Sequence, residues 1–249
     1  MGVANRQCRL CNQFKVLRNS HLFPKSCLRF DDKGRLIVTR AVRDGTSTYT
    51  LKQDGFKEYL LCEGCEQILN RYEAPFNEFW KSKNGLGNTA TAGQVMTFAV
   101  DYLKTKLLLL SILWRHAVSN VWGRRIRLGP YQERLRDICY NGEVLLPEEY
   151  PMFARVLVDD EGEVLHGMTI GPVRYKLDHI SGYQLVFAGC EWTVLLSVSA
   201  HDLPGELRQM PKALATVGVL HADVISFRES RLAWECAKVL PRAEYRKRL

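Results

Sequence analysis

The sequence contains two Cys-x-x-Cys pairs, a spacing that is typical of zinc sites. The four residues are Cys8, Cys11, Cys62 and Cys65. Each pair supplies two thiolates from one tight turn, and four thiolates bind zinc as a tetrahedron. The alternative, two unrelated pairs of buried cysteines, makes the repeated spacing a coincidence. We therefore predict one structural zinc ion held by these four side chains.

The composition is that of an ordinary globular protein, with 46% hydrophobic and 25% charged residues. No run approaches the ~18 apolar residues that a membrane span needs, and the N-terminus lacks the apolar segment of a secretory signal. We therefore expect a cytoplasmic protein without membrane association, in which thiols stay reduced. The formal net charge of +8 favours polyanionic partners.

Hydrophobic periodicity divides the chain into three predicted parts. Residues 1–82 combine the cysteine pairs with β-rich segments and a helix that starts near Cys62, and Pro75 is expected to kink or break this helix. Residues 83–93 are rich in Gly, Asn and Thr and are expected to form a linker. Residues 94–249 are predicted to form a helical middle followed by a small antiparallel β domain. The predicted fold class is α+β.

The order of the motifs in the first third of the chain resembles the HNH, or ββα-metal, nuclease family. After the first cysteine pair, His21-Leu22-Phe23-Pro24 matches the family's strand, in which a histidine is followed by an apolar residue and a proline. The segment 60–65 matches the second knuckle, from which the closing helix of the family begins. The resemblance implies a zinc-stapled ββα head of the HNH or treble-clef type.

The same resemblance implies a metal-dependent endonuclease. His21 is then the base that deprotonates the water attacking the phosphodiester, a role that suits an imidazole neutral near pH 7. A hard cation, magnesium or manganese, stabilises the developing charge. Glu66 stands where the family has a histidine or asparagine, and it is the expected replacement ligand because carboxylates bind magnesium. Glu73 lies two turns further along the helix and offers the same chemistry.

Other positions near these residues depart from the family or extend the expected groove. Ser20 replaces the acidic residue or second histidine that precedes the base, and Lys57 stands near the position of an orienting asparagine. The polar residues Gln67, Asn70 and Arg71 could face the same groove as Glu66. With these departures, a second hypothesis is kept: His21 is a hydrogen-bonded structural residue, and the chain is a non-catalytic zinc-stapled scaffold that binds a protein partner.

A basic cluster follows the most apolar part of the chain. It consists of Arg115, Arg124, Arg125 and Arg127, with Trp114, Trp122 and Tyr131 interleaved. Arginines mixed with aromatic residues suit contact with a phosphate backbone combined with base stacking. We therefore predict that these four arginines bind DNA or RNA. The alternative is a solvated basic face with the aromatic rings in the core.

The whole chain also resembles a group of bacterial proteins. The shared features are Cys8-x-x-Cys11, Ser20-His21, Leu61-Cys62-x-x-Cys65-Glu66, Tyr72-Glu73 and Ser111-Ile-Leu-Trp-Arg115. This resemblance implies a bacterial or phage-related cytoplasmic protein and does not imply a reaction.

Replacement of Arg124, Arg125 and Arg127 together by Ala is expected to weaken nucleic-acid binding. The salt dependence should flatten by about one unit of slope for each phosphate that the variant no longer neutralises. Fluorescence anisotropy with labelled DNA and RNA at several salt concentrations measures both quantities. Replacement of three basic residues of the C-terminal tail, Arg242, Arg246 and Arg248, changes the net charge equally and is the control. If the first variant binds nucleic acid with the affinity and the salt dependence of the parent protein, its three arginines form a solvated or protein-contacting face.

Overall fold

The computed structural model of the 249-residue chain describes residues 5–28, 36–41, 47–52, 55–81, 86–121, 126–177, 179–197 and 218–233. In these ranges the helices are α1 (Glu63–Lys81), α2 (Tyr102–Val118) and α3 (Tyr131–Asn141), with a short 3-10 turn at Lys25–Cys27. The strands are β1 (Arg6–Gln7), β2 (Phe14–Lys15), β3 (Leu17–His21), β4 (Leu36–Ala41), β5 (Ser47–Lys52), β6 (Lys57–Cys62), β7 (Val95–Ala99), β8 (Met152–Val158), β9 (Thr169–Leu177), β10 (Ile180–Phe187), β11 (Cys190–Leu195) and β12 (Val219–Ser226). The predicted α+β class is confirmed. No helix of the described residues is both long and apolar enough to cross a membrane.

The N-terminal part contains two antiparallel strands followed by a helix. Strand β3 pairs with β6 from Leu17 opposite Cys62 to His21 opposite Lys57. Helix α1 follows β6 directly, so that Cys62 ends the strand and Cys65 lies in the first helical turn. Strands β1 and β2 form a separate short ladder, which carries the first cysteine pair between them. This order of elements places both cysteine pairs at one end of the β3–β6 ladder.

Helix α1 forms because apolar residues recur along one face. The buried residues are Cys65, Leu69, Tyr72, Phe76 and Trp80, which follow one another at spacings of three and four. The expected break at Pro75 is not observed, since the helix is continuous from Glu63 to Lys81. Proline removes one helical hydrogen bond, and the burial of this face on both sides of Pro75 offsets that loss.

The largest sheet has eight strands in the order β5-β4-β9-β10-β11-β8-β12-β7. Most neighbours are antiparallel, but β4 lies parallel to β9 and β12 lies parallel to β8. The small antiparallel β domain is therefore part of a larger mixed sheet. The hairpin β4–β5, which the chain inserts between the two cysteine pairs, also belongs to this sheet.

The predicted helical middle is wrong at its start. Residues Val95–Ala99 form strand β7, which pairs antiparallel with β12. The helix begins only after Asp101, whose carboxylate accepts a hydrogen bond from the backbone N–H of Lys104 at 3.0 Å and so caps α2. The apolar periodicity that begins at Phe98 thus combines a strand and a helix, because short apolar runs fit either period.

The described part of the predicted linker lies against the sheet. The backbone N–H of Ala90 donates to the carbonyl of Gly162 at 2.9 Å, and Gly93 donates in the same way to Val224 at 2.8 Å. The side chain of Leu86 is buried. Residues 86–93 are therefore anchored to the turn that follows β8 and to strand β12.

One hydrophobic core connects the N-terminal elements with the sheet. Phe23, which follows β3, packs against Phe187 of β10 with ring centroids 5.6 Å apart. Phe76 of α1 packs against Trp192 of β11 at 6.3 Å. Helix α2 belongs to the same core, since His116 of α2 contacts Phe23 and every side chain from Thr105 to Ala117 is buried. A helix that is apolar all round is expected to be enclosed by the protein in this way.

His116 is a titratable group inside this core. Its Nδ1 lies 2.8 Å from the carbonyl oxygen of Ile112, and a carbonyl only accepts, so Nδ1 carries the proton. The ring meets that of Phe23 edge-on at 4.6 Å. Burial, which disfavours the charged imidazolium, lowers the pKa of His116 from 6.5 to about 3.

This burial predicts a specific acid sensitivity. Between pH 6.5 and about 3 the unfolded chain binds a proton at His116 that the folded chain does not, so the free energy of unfolding falls as the pH falls through this window. The slope from one such group is at most ~1.4 kcal/mol per pH unit. The variant His116→Asn keeps an amide donor for Ile112 and does not titrate, and its urea unfolding should therefore depend less on pH between 6.5 and 4. His179→Asn changes an exposed histidine and should keep the parental slope; equal slopes in all three proteins would contradict the prediction.

Candidate metal centre and adjoining polar pocket

The four cysteines of the two pairs come together at the end of the β3–β6 ladder. The Sγ atoms of Cys8, Cys11, Cys62 and Cys65 all lie within 4.8 Å of one another. The Sγ atoms of Cys11 and Cys62 are 3.9 Å apart. A tetrahedral zinc site with Zn–S bonds of ~2.3 Å has sulfur atoms separated by ~3.8 Å. The donor set and its spacing therefore fit a metal ion bound by four thiolates.

Backbone hydrogen bonds build the first pair into a tight knuckle. The N–H of Cys8 donates to the carbonyl of Gln13 at 2.8 Å, and the N–H of Asn12 donates back to the carbonyl of Cys8 at 2.9 Å. Asn12 has a positive φ of 58°, a conformation that asparagine tolerates better than most residues. The N–H of Arg9 donates to Leu60 at 2.9 Å and so ties this knuckle to strand β6.

The second pair lies where β6 passes into α1, with Cys62 at the end of the strand and Cys65 in the first helical turn. It contacts the first pair through a hydrogen bond to a sulfur atom. The N–H of Cys62 lies 3.3 Å from Sγ of Cys8 and donates to it. Hydrogen bonds to a metal ligand fix its orientation and disperse its negative charge. Cys8, Cys62 and Cys65 are buried and Cys11 is partly buried, so the centre is largely closed to solvent, as in structural zinc sites.

The thiols of the cluster are electrostatically coupled. The hydrogen bond from the Cys65 thiol lowers the pKa of Cys8 to about 4, and the same contact together with burial raises the pKa of Cys65. Four adjacent thiols cannot all ionise without a compensating cation, because like charges in a buried site disfavour one another. A divalent ion removes this conflict and holds all four as thiolates.

A polar pocket of about 460 Å³ adjoins the cysteine cluster. It lies between the end of β3, the 3-10 turn, α1 and α2. The lining residues are His21, Pro24, Lys25, Ser26, Glu66, Asn70, Glu73, Asn77 and Arg115. Acidic, basic and amide side chains thus face one volume.

One face of α1 supplies the acidic and amide side chains. Glu66, Asn70, Glu73 and Asn77 follow one another at spacings of four, three and four residues, so they lie in one row on the helix. Each stands one position after a residue of the buried face described above, which places the row at the edge of the core. His21, the last residue of β3, faces the pocket from the opposite side.

Glu66 is held at the end of the row that is closer to the cysteines. Its Oε1 accepts a short hydrogen bond from the hydroxyl of Ser20, the residue before His21. Burial raises the pKa of Glu66 above its usual value, and the Ser20 hydrogen bond and the charge of Arg115 oppose this shift. The carboxylate is therefore fixed in orientation and sensitive to any cation that enters the pocket.

Arg115 lies at the base of the pocket and is almost entirely buried. Its Nη2 forms a 2.9 Å ion pair with Oε1 of Glu73, and only 2% of the Arg115 side chain is exposed. Its Nη1 donates to the backbone carbonyl oxygen of His21 at 3.0 Å. Nη2 also donates to Oγ of Ser111 at 3.2 Å. A buried guanidinium is tolerated when it is paired and hydrogen-bonded in this way.

The residues predicted to bind nucleic acid occupy different environments. Arg115 does not lie on an exposed basic face, because α2 buries it and Glu73 neutralises it. Arg127 is exposed. Arg124 and Arg125 lie outside the described residues. The four arginines are thus not a single surface cluster, since Arg115 belongs to the core.

The structure brings together more of the pocket than the sequence alone indicated. His21, Glu66, Asn70 and Glu73 line it, whereas Gln67 and Arg71 are exposed and do not. Asn77 was missed, although it continues the four- and three-residue spacing of this row. Lys25 was also missed, because it lies in a short turn with no periodicity. The signal for Arg115 was its position directly after the apolar stretch 107–114, because a charge that continues such a stretch requires a buried partner.

No protein-family model, curated protein or solved structure matches this chain.

One zinc ion per chain is expected in the purified protein, and its removal should unfold the N-terminal elements, since metal binding and folding are coupled at such centres. Cys8→Ser should reduce the zinc content, measured by elemental analysis, to well below one per chain. Cys190→Ser changes a buried thiol outside the cluster and should leave the stoichiometry at one. If the purified protein contains no zinc and a chelator does not change its thermal stability, the chain has no structural metal.

Proposed function

We propose that this chain is a zinc-stapled ββα protein of the HNH type that cleaves phosphodiester bonds in DNA or RNA with a divalent cation. The observation that carries the proposal is the convergence of His21 with Glu66, Asn70 and Glu73 on one polar pocket beside the four cysteines. The strand–strand–helix order of β3, β6 and α1, with a cysteine pair before it and another at the helix start, supports the HNH comparison. Zinc has a structural role in this proposal.

The pocket offers the donor atoms that a hard cation prefers. Carboxylate oxygens of Glu66 and Glu73 and amide oxygens of Asn70 and Asn77 line it. Magnesium commonly binds through one or two carboxylates and completes its shell with water and substrate phosphate oxygens. Glu66 is the principal ligand in this proposal, because Glu73 is already paired with Arg115. When bound, magnesium or manganese would polarise the phosphoryl group and stabilise the leaving oxygen.

His21 acts as the general base. Its imidazole accepts a proton from a water molecule as the water oxygen forms a bond to phosphorus. The bond from phosphorus to the ester oxygen breaks, and solvent protonates the leaving oxygen. Lys25, exposed at the rim of the same pocket, attracts the phosphate backbone without reading sequence.

A second candidate function is a non-catalytic scaffold that binds a protein partner. It is favoured by the engagement of both carboxylates within the protein, Glu66 by Ser20 and Glu73 by Arg115. In the part of the chain that the structure describes, the four cysteines are also the single group of three or more His, Cys, Asp or Glu side chains with ligand atoms close enough to hold a metal. Binding to a protein partner through apolar contacts would depend little on salt, whereas nucleic-acid binding weakens steeply as salt rises.

His21→Ala is expected to lower cleavage of DNA or RNA by ~10²–10⁴-fold in magnesium or manganese, the range that a general base contributes. Zinc content and thermal unfolding should stay at parental values, because His21 is not a zinc ligand. His179→Ala, a change at an exposed histidine outside the pocket, is the control and should cleave as the parent does.

Glu66→Gln separates cation binding from the base. It keeps the shape of the side chain and removes its charge, so it should raise the manganese concentration needed for half-maximal cleavage. The substrates are single- and double-stranded DNA and RNA of mixed sequence. If the parent protein cleaves none of them with either metal, the phosphodiesterase proposal is wrong and the scaffold function takes its place.

A further inference from the structure

Arg115 connects the pocket to a helix outside the β3–β6–α1 unit. Helix α2 lies beyond the segment that resembles the HNH family, and yet Arg115 reaches both sides of the pocket. Nη1 donates to the backbone carbonyl of His21 on β3, and Nη2 pairs with the carboxylate of Glu73 on α1. The guanidinium is thus a bridge between the strand that carries the base and the helix that carries the acidic row.

The donor count of Arg115 leaves little capacity for a ligand. A guanidinium has five N–H donors. Four hydrogen bonds use four of these donors: one to His21, one to Glu73, one to Oγ of Ser111 and one to the Ser111 carbonyl at 3.4 Å. At most one N–H remains for a substrate oxygen. Bidentate recognition of a phosphate, which is the usual reason for an arginine at such a site, needs two N–H donors. Arg115 could bind a phosphate in this way only by breaking at least one of its hydrogen bonds to the protein.

The same end of α2 holds the second strand of the ladder. Glu58 of β6 accepts hydrogen bonds through its carboxylate from the hydroxyl of Ser119 at 2.6 Å and from the backbone N–H of Asn120 at 2.8 Å. Glu58 pairs with Ser20, next to the pair formed by His21 and Lys57. The C-terminal end of α2 therefore fixes both strands, but only the Arg115 contact enters the pocket.

We propose that Arg115 is a positioning residue for the phosphodiesterase site: it fixes the backbone of His21 relative to Glu73 and so sets the distance between the base and the cation-binding face of α1. This inference rests on the proposed function for its kinetic consequence. It makes α2 a required part of the site, so that the pocket is complete only when the N-terminal elements and α2 are packed together. Arg115 acts through His21 and Glu73, and the reacting atoms are contacted by other residues.

Two variants of the full chain test this role in complementary ways. Arg115→Lys keeps the positive charge beside Glu73, but its single ammonium group cannot reproduce the planar fork that joins His21 and Glu73. The double variant Arg115→Met with Glu73→Met removes both charges of the buried pair, a change that is often tolerated, whereas removal of one partner alone leaves an unpaired buried charge. Ser119→Ala is the matched control, since it weakens the Glu58 contact at the same end of α2 without touching the pocket.

The measurements are the titration of His21, followed by the NMR shifts of its imidazole, and the kcat and KM of cleavage. Arg115→Lys is expected to bind one zinc, to shift the His21 titration, and to lower kcat by at least ~10-fold with KM within about threefold, since small misplacements of catalytic groups are costly. Ser119→Ala should lose thermal stability while keeping the His21 titration and kcat of the parent.

If Arg115→Lys keeps the His21 titration and the kcat of the parent protein and only its melting temperature is lower, Arg115 stabilises the fold and does not position His21. If the double variant does not fold, the His21 titration and the kcat of Arg115→Lys alone decide whether Arg115 is a positioning residue. If the parent protein itself proves inactive, the phosphodiesterase proposal fails, and the His21 titration in the two variants still decides whether Arg115 sets the environment of His21.

Discussion

A positive charge inside an apolar helix constrains the way in which the two halves of this protein pack. Arg115 is preceded by leucines, isoleucine and tryptophan that are all buried, and a guanidinium cannot enter such a core unpaired. Glu73 supplies the opposite charge from α1, and the carbonyl of His21 supplies a further acceptor from β3. Breaking a buried pair of this kind typically costs ~3–5 kcal/mol. The ion pair thus fixes the relative position of α1, α2 and β3, and with them the shape of the pocket.

The cysteine cluster and the ion pair hold the same row of side chains at two separate positions. Cys62 and Cys65 fix the start of α1, where Glu66 is held by Ser20. Glu73, two turns further on, is held by Arg115. The helix is therefore anchored at both positions from which a carboxylate reaches the pocket. Rigid support from residues around a site is a general requirement for chemistry that depends on fractions of an ångström.

Features that depend on local spacing could be predicted from the sequence, and features that depend on distant partners could not. The cysteine pairs and the placement of Glu66 and Glu73 on one face of α1 follow from residue types at fixed intervals, and the α+β class follows from the alternation of helical and β-rich segments. The partner of Arg115 lies 42 residues away in sequence, and no local pattern indicates it. Strand β7 was missed because it runs directly into the apolar stretch of α2. The pairing of β4 with β9 could also not be predicted from the sequence, because parallel strands are not joined by a short turn whose residues would indicate the pairing.

The insertion of β4 and β5 between the cysteine pairs has a consequence for the synthesis of the protein. Val38 of β4 pairs with Thr169 of β9, so this edge of β4 has no partner when it leaves the ribosome. At ~5–20 residues per second, β9 emerges on the order of 10 s later. An unpaired strand edge is a template for pairing with other chains. The nascent N-terminal segment must therefore persist for seconds with an open β edge, and association between neighbouring nascent chains competes with native folding during that interval.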